Sequence, residues 1–247
     1  IYWPIMLHAL GFPDEQMPKF LVHGWWNMGG TKMSKSLGNV IDPDELANKY
    51  SEEALRYYLM SDIVTGKDSD FSEERLIERY NADLANSLGN LLNRSLNMAS
   101  RYCSAGLSRG ETPAAENSLD TLVRGFVQLA GEYAISLSLE NSLQIAREAN
   151  QFIEQTAPWK MAKQGMDGAV AEVIYDLAER LRIIAILVSP VLPQAAHGIF
   201  DQLHWKMELS GREDRFSLGE AEWGELPDGH VVGKPVPLFP RIEPEAG

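Results

Sequence analysis

The segment Lys32–Ser36 places two lysines and two serines within five residues. A lysine ammonium is a compact positive charge and a hydroxyl is a hydrogen-bond donor, so this composition suits contact with several oxygens of a polyphosphate. Gly29–Gly30 precede the segment and Gly38 follows it, which gives the backbone freedom to form a tight loop. A solvated basic turn explains two lysines alone. The whole segment, with its two lysines, two hydroxyls and flanking glycines, instead predicts a loop that can close over a polyanion.

A second group of polar residues lies on a helix predicted from Ser72 to about Cys103. At 100° per residue, Asn90 and Arg94 fall one turn apart on a polar face, opposite a face of leucines. Asparagine costs roughly 0.5–0.7 kcal/mol relative to alanine in a helix, yet five asparagines occur between positions 81 and 97. Asparagine and arginine read base edges through paired hydrogen bonds. The stripe predicts nucleic-acid contact, and an ordinary polar surface is the alternative.

The segment Ala157-Pro158-Trp159 interrupts a helical pattern with proline. Proline restricts the preceding residue and ends or kinks a helix, so we expect Trp159 to project at a helix end. An exposed indole beside Lys160 suits stacking on an unpaired base. A tryptophan that fills the core is the alternative.

The elements that must position these residues follow from local patterns. Residues 19–26 are apolar and bounded by proline and glycine, which predicts a buried strand just before the Lys32–Ser36 loop. In open α/β sheets the ligand crevice lies at the carboxyl ends of the strands, where this loop begins. Asp42 followed by Pro43 predicts one helix start, and Ser51 predicts another. Residues 66–71 are expected to form a loop.

Beyond that loop the apolar spacing is helical, and the predicted fold class is multidomain α/β plus α. Residues 1–31 are expected to end an α/β domain, and residues 32–70 to hold the Lys32–Ser36 loop and a connecting helical region. Residues 71–206 are expected to form a helical bundle, with Asp167 capping one helix and a linker over residues 104–117. Residues 207–247 are expected to be extended and to pack back onto the body through Val236–Pro240.

Composition limits the function classes. The 247 residues carry a net charge of −13, which argues against nonspecific nucleic-acid binding, so any such contact must be local. Cys103 is the one cysteine, which excludes an internal disulfide and a cysteine-cluster zinc site, and the histidines lack metal-ligand spacing. No apolar run is long enough to span a membrane. We therefore expect a cytoplasmic protein without a metal site.

Together, these motifs resemble those of the methionyl-tRNA synthetase family, a branch of the class I aminoacyl-tRNA synthetases. The resemblance covers nearly the whole chain. It rests on short segments: Tyr2–Leu7, Val22-His23-Gly24, Lys32–Ser36, Leu55–Leu59, Asp68–Phe71, Asn90–Arg94, Ala157-Pro158-Trp159 and Pro237–Ile242. The Lys32–Ser36 signature is shared with the isoleucine, valine, leucine and cysteine enzymes, while the Asn90–Arg94 and Ala157–Trp159 segments point to methionine.

The resemblance implies the end of a Rossmann catalytic domain with its KMSKS loop and stem-contact region, then a helical-bundle anticodon-binding domain. It implies tRNA(Met) and methionine as partners and ATP, with Mg²⁺, as a substrate. The implied catalytic residues are Lys35 and Lys32, and Trp3 would contact methionine. The implied anticodon contacts are Asn90, Arg94 and Trp159. The implied ATP contacts are His23, Gly24, Lys32, Met33, Ser34, Lys35 and Ser36.

The family's HIGH motif, its ribose-binding acidic residue and its zinc-bearing insert are not in this sequence. We therefore expect the chain to be the C-terminal half of a longer enzyme, inactive in methionine activation on its own, with any zinc in the upstream part. Two alternatives stay open at this point: a class I synthetase for isoleucine, valine, leucine or cysteine, and a non-catalytic tRNA-binding helical module.

Overall fold

A short sheet surrounds the turn at Gly29–Gly30. The computed structural model describes residues 1–110 and 116–243. Strand β1 (Trp26–Met28) pairs with β2 (Thr31–Lys32) in antiparallel fashion and with β3 (Ser69–Phe71) in parallel fashion, in the order β2-β1-β3. Both turn glycines have positive φ, 60° and 72°, which a two-residue hairpin turn of the mirror-image type requires. The turn therefore sets the register of the strand that leads into Lys32.

The predicted buried strand over residues 19–26 is wrong in extent and burial. Residues 20–25 lie outside any strand, and Phe20, Leu21 and Val22 are exposed. A buried strand needs ladder partners and covered faces, and within the described residues β3 pairs with β1 only from Trp26 onward. The predicted loop over residues 66–71 is wrong at its end, which is β3.

Helices α2 (Pro43–Tyr50) and α3 (Glu52–Asp62) begin at the predicted caps. The Asp42 carboxylate accepts from the Asp44 N–H at 2.9 Å, and the Ser51 hydroxyl accepts from the Ala54 N–H at 3.2 Å. These bonds satisfy donors that a helix start leaves unpaired. A small core beneath the sheet includes Leu46, Leu55, Tyr58, Phe71 and Leu76.

The predicted long helix is continuous from Glu73 to Tyr102, in three parts. Helix α4 (Glu73–Arg79) is capped by Ser72, a π-helical segment follows over Tyr80–Gly89, and α5 spans Asn90–Tyr102. The leucine face is buried as predicted. The π-helical segment was not predicted, because bonds from residue i to i+5 change the rotation per residue that a regular wheel assumes.

The remaining helices complete a bundle that packs on this long helix. They are α6 (Glu116–Gly131), α7 (Ile135–Thr156), α8 (Pro158–Lys163), α9 (Asp167–Val188) and α10 (Pro193–Gln202). Helix α1 (Tyr2–Ala9), at the start of the chain, has no buried residue and is not counted with them. Asp167 is the first residue of α9 rather than its cap, since Met166 holds that position without a side-chain bond. Positions 111–115 of the predicted linker lie outside the described residues. Within the part of the chain that the structure describes, no helix is long and apolar enough to cross a membrane.

Helix α3 is anchored on the turn between α9 and α10. The Arg56 guanidinium donates to the carbonyl oxygens of Pro190 and Val191 at 2.8 and 2.9 Å. The Glu53 carboxylate accepts from the backbone N–H groups of Gln194 and Ala195, at 2.6 and 3.0 Å, at the start of α10. A cation on helix-terminal carbonyls and an anion on helix-terminal N–H groups both match the helix dipoles. These bonds join α3, which follows the Lys32–Ser36 loop in the chain, to the helical bundle.

The C-terminal segment around Phe239 packs back onto the body, as predicted. The expectation that residues 207–247 are extended is wrong at their start, where three short 3-10 turns lie between Met207 and Glu220. Phe239 is buried, and its ring meets the Tyr80 ring edge-on with centroids 6.4 Å apart. The Asn81 carboxamide donates to the Ile242 carbonyl at 2.8 Å and accepts from the Ile242 N–H at 2.9 Å. The segment is thereby fixed along the π-helical part of the long helix.

Candidate functional site

The Lys32–Ser36 loop is held in shape by Asn39. The Asn39 side-chain oxygen accepts from the Ser34 N–H at 2.8 Å, and its amide nitrogen donates to the Lys32 carbonyl at 3.4 Å. Gly38, with φ of 66°, closes the turn that follows. Sequence reasoning did not single out Asn39. The feature that could have indicated it is an amide side chain three positions after Ser36, where it can bond backbone groups of a turn.

The two lysines of the loop have different surroundings. The Lys32 ammonium lies 3.3 Å from the centroid of the Trp25 ring, a cation–π contact. Lys35 is exposed and forms no ion pair among the described residues. The Ser34 and Ser36 hydroxyls are 2.8 Å apart. Lys35 is thus the cation that remains open to an incoming anion.

Met33 and Gly24 serve the packing of this region, whereas the His23 side chain is exposed. Met33 is partly buried against the small core. The His23 ring nitrogen Nδ1 lies 2.8 Å from the Gly24 carbonyl oxygen. A Cβ on Gly24 would lie 2.1 Å from the Lys67 carbonyl oxygen. The sequence suggested that Gly24 admits a ligand, whereas the close approach in the structure is by the chain's own backbone.

Two aspartates, one just before β3 and one within it, hold the backbone that leads into the loop. The Asp68 carboxylate accepts from the Trp25 N–H at 2.7 Å, and the Asp70 carboxylate accepts from the Gly30 N–H at 3.1 Å. Both aspartates lie within the Asp68–Phe71 segment of the family resemblance, but neither was predicted as a site residue. Their bonds cross more than 35 positions of sequence, so local patterns carry no trace of them.

Trp3 is not brought to the loop. It lies on α1 with an exposed side chain, and no described contact joins it to Lys32–Ser36. Within the described residues, no group of three histidine, cysteine, aspartate or glutamate side chains is arranged to hold a metal ion. The structure therefore gives the loop a defined shape but leaves Trp3 apart from it.

Arg94 and Trp159 lie toward the same end of the bundle. The Arg94 Nη2 atom is 2.5 Å from the Glu154 Oε1 atom, which joins α5 to the last turn of α7. Ala157 then adopts a left-handed conformation with φ of 46°, and α8 begins at Pro158. Helix α8 contacts α5. Trp159 is partly buried against the main core rather than fully projected, as the kink alone suggested.

Asn90, one turn before Arg94, borders a cavity along the same helix. The cavity measures about 450 Å³, and the C-terminal segment at Pro237–Phe239 forms its opposite wall. Asn86 and Asn93 also line it. The Asn97 side chain donates to the Asn93 carbonyl at 2.9 Å. The polar face predicted from the sequence is thus open at Asn90, between this cavity and the Arg94–Glu154 pair.

Models of two protein domains match the chain. A model described as tRNA synthetases class I (M) matches residues 1–96. A model described as the anticodon binding domain of methionyl tRNA ligase matches residues 106–246. The second match alone covers more than half of the sequence. It does not favour the isoleucine, valine, leucine or cysteine alternatives.

Individual proteins agree with these models. A methionine–tRNA ligase of Thermosynechococcus vestitus is 37% identical over 250 residues, and that of Nostoc sp. is 39% identical over 252 residues. Each match covers 98% of this chain and 47% of the relative. The solved Mycobacterium tuberculosis methionyl-tRNA synthetase in complex with methionyl-adenylate superposes with a TM-score of 0.83 at 30% identity, over 98% of this chain and 47% of that one. The chain thus spans about half the length of the relatives it matches, and it belongs to the methionyl-tRNA synthetase family of class I aminoacyl-tRNA synthetases.

Proposed function

We propose that this chain works within a methionine–tRNA ligase, which activates methionine with ATP and transfers it to tRNA(Met). In the first step the methionine carboxylate attacks the α-phosphate of ATP, and pyrophosphate leaves. In the second, a hydroxyl at the 3′ end of the tRNA attacks the methionyl carbonyl carbon, and AMP leaves. Neither step needs a protein nucleophile. The protein contributes positioning and stabilisation of the charge that develops on the phosphates.

We assign the Lys32–Ser36 loop to the phosphates of ATP. Lys35 would contact the departing pyrophosphate, since its ammonium is exposed, and Lys32 would support it from its position over the Trp25 ring. Ser34 and Ser36 would supply hydroxyl donors. His23, whose side chain is exposed, would face the same site, while Gly24 and Met33 would shape it through their packing against the Lys67 backbone and the small core. ATP would enter with Mg²⁺ held on phosphate oxygens and water, the ligands that this ion prefers.

We assign Trp3 to the methionine side, because an aromatic ring suits a thioether. Residues 1–31 would complete the catalytic domain, and residues 32–70 would meet the tRNA stem. The bundle of residues 71–206 would read the anticodon, and residues 207–247 would close the chain over it. The cytoplasm is the proposed compartment, which suits a free buried cysteine.

Asn90, Arg94 and Trp159 would read the CAU anticodon. Trp159 would stack on one unpaired base, and the Asn90 and Arg94 side chains would bond the edges of its neighbours. The observation that carries this proposal is the Arg94–Glu154 ion pair, because it links the long helix to the turn from which Trp159 starts. Arg94 and Trp159 are 65 positions apart in the sequence, so they can contact one ligand only if their helices are held together in the fold.

The decisive experiment is ATP–pyrophosphate exchange with the full-length gene product, over methionine, isoleucine, valine, leucine and cysteine. We expect exchange with methionine, and aminoacylation of a tRNA with a CAU anticodon but far less of one with a changed anticodon. Exchange with another amino acid would replace the substrate assignment. Binding of tRNA without any exchange would favour a non-catalytic tRNA-binding module.

A further inference from the structure

The residues Val236–Ile242, which we call the C-terminal strap, cross from α10 to the π-helical segment. At the start of the strap, the Val236 N–H donates at 2.7 Å to the side-chain oxygen of Gln202, the last residue of α10. Leu238 packs so closely on the same helix that a Cβ on Gly198 would lie 2.7 Å from its Cδ2 atom. The first half of the strap is thereby fixed to the bundle.

The second half of the strap contacts the π-helical segment near both ends of that segment. Asn81, its second residue, exchanges two hydrogen bonds with the Ile242 backbone and is 9% exposed. At its last residue, Gly89, a Cβ would lie 3.3 Å from the Phe239 ring and 3.0 Å from the Leu84 carbonyl oxygen. A side chain at position 89 would therefore crowd both the strap and the backbone of the segment itself.

The π-helical segment sets the rotation of the helix that follows it. A regular α-helix turns by about 100° per residue, and bonds from residue i to i+5 accommodate an extra residue within a turn. Each inserted residue therefore rotates the residues after it by about 100° from where an uninterrupted α-helix would place them. Asn90 is the first residue after the segment, and Arg94 lies one turn further on. The directions of both side chains relative to the bundle thus depend on the segment staying π-helical.

Tertiary contacts must stabilise this segment, because its local preferences do not. π-helical geometry is rare and is found mostly in short pieces, frequently at functional sites. Glycine also weakens the interior of a helix relative to alanine. The strap supplies two hydrogen bonds at Asn81 and the packing of Phe239 on Gly89. Helix α7 adds one bond, from the Asn150 side chain to the Ser87 carbonyl oxygen at 3.0 Å.

We propose that the C-terminal strap holds the long helix in the rotation at which Asn90 and Arg94 meet the anticodon. This inference rests on the proposed function. Asn81 and Gly89 are then positioning residues that determine anticodon discrimination through the helix. The strap also forms, with Pro237–Phe239, the wall opposite Asn90 in the cavity of about 450 Å³. One contact between strap and helix therefore sets both walls of the space that a base would enter.

Binding of two tRNAs to the full-length protein tests the strap. The CAU preference is the ratio of the dissociation constants for a changed-anticodon tRNA and a CAU tRNA. Asn81→Leu removes both bonds to the strap at similar side-chain size, and we expect it to lower this preference by roughly tenfold, the equivalent of about 1.4 kcal/mol. The salt dependence of binding should stay the same, because no phosphate contact is lost. Methionine-dependent exchange at the Lys32–Ser36 loop should also stay the same.

Gly89→Ala tests the same rotation without touching the Asn81 bonds. The added methyl crowds the Leu84 carbonyl oxygen and the Phe239 ring, and alanine favours a regular α-helix, so the CAU preference should fall here too. The matched control is Gly168→Ala in α9, where a Cβ meets nothing within 4 Å and the preference should be that of the wild type. All ratios are taken at a temperature at which circular dichroism shows each variant to be folded.

A wild-type preference in both Asn81→Leu and Gly89→Ala would overturn the inference, and so would an equal loss in Gly168→Ala. Asn90→Ala separates this inference from the anticodon assignment. If Asn90→Ala loses the preference while the two strap variants keep it, the anticodon assignment stands and the strap has no part in it. If Asn90→Ala keeps the preference, the assignment of Asn90 fails. A loss confined to the strap variants would then also overturn the inference, because the strap would act on a different reader.

Discussion

The Arg94 guanidinium of α5 is paired with the Glu154 carboxylate of α7, with 2.5 Å between Nη2 and Oε1, three residues before the left-handed turn at Ala157. Both side chains are partly open to solvent. An exposed pair contributes only about 0–1 kcal/mol to folding. The pair therefore matters chiefly for where it holds the Arg94 guanidinium and for the negative charge it places beside the proposed anticodon site.

Replacing Glu154 with Gln should change tRNA binding without changing the stability of the fold. We expect the melting temperature to stay near that of the wild type, since the pair is exposed. Affinity for any tRNA should rise, because a carboxylate near the phosphates is removed. Preference for CAU should fall, because Arg94 loses its fixed orientation. Dissociation constants for matched CAU and changed-anticodon tRNAs provide the measurement. An unaltered preference would show that Arg94 does not depend on Glu154.

Replacing Lys35 with Ala should slow methionine activation in the full-length protein by about 10²–10³, as expected for losing a preorganised charge-stabilising donor. The methionine KM should barely change, because the ammonium is assigned to pyrophosphate. Exchange kinetics give both quantities. Lys19→Ala, another exposed lysine outside the loop, is the control. Near-normal turnover of Lys35→Ala would remove its catalytic role.

Asn39 offers a separate test of the loop's shape. Asn39→Ala removes two bonds to the loop backbone, each worth about 1 kcal/mol, and leaves Lys35 in place. We expect activation to slow by roughly tenfold, from the loss of about 1–2 kcal/mol of orientation. The exposed amide of Asn48, outside the loop, gives the matched control in Asn48→Ala. Equal rates for the two variants would mean that the loop orders itself without Asn39.

The features that the sequence predicted well are local. The caps at Asp42, Ser51 and Ser72 depend on a side chain and a backbone group two or three residues away, so type and spacing determine them. The long leucine face persists through the π-helical segment because every leucine there finds the core. Burial of the C-terminal segment was predicted because apolar residues alternate with prolines that fix its extended form.

The features that failed depend on partners far along the chain. A strand over residues 19–26 is a sound expectation from composition, but pairing is decided by β3, more than 40 positions away. The sequence suggested a ligand contact at Gly24, because a glycine indicates that some group approaches the backbone closely. The sequence does not indicate that this group is the Lys67 backbone. The Arg94–Glu154 pair, the Arg75–Asp62 pair and the Arg147–Asp83 contact are likewise tertiary contacts. No spacing rule of a single helix contains them.

Cys103 should be an unreactive thiol in the folded chain. Burial raises its pKa from 9.0 to about 11, with the Asp167 charge adding to the shift. At pH 8 the thiolate fraction is therefore on the order of 10⁻³, and the thiolate is the reactive form. Because the folded pKa exceeds the unfolded one, the thiol's contribution to stability is full below pH 9 and is lost as pH rises toward 11. Alkylation at pH 8 should be slow in the native chain and fast in guanidinium. Fast native alkylation would contradict the burial.

Trp159 has two candidate roles, stacking on a base and filling the core, and its partial burial is compatible with both. Trp159→Ala should weaken tRNA use by about 1–3 kcal/mol for one stacked base. Methionine exchange in the full-length protein should stay intact, because the chemistry takes place at the Lys32–Ser36 loop. A fully buried tryptophan would cost about 3–5 kcal/mol of stability on truncation, so we expect a smaller loss here.

Trp159→Phe is the matched control, since it keeps an aromatic face and most of the apolar contact. If aminoacylation falls in Trp159→Ala and recovers in Trp159→Phe at unchanged exchange, the ring acts on the RNA. If melting temperature and exchange fall together in Trp159→Ala, the ring acts through the core, and the anticodon assignment of Trp159 is wrong.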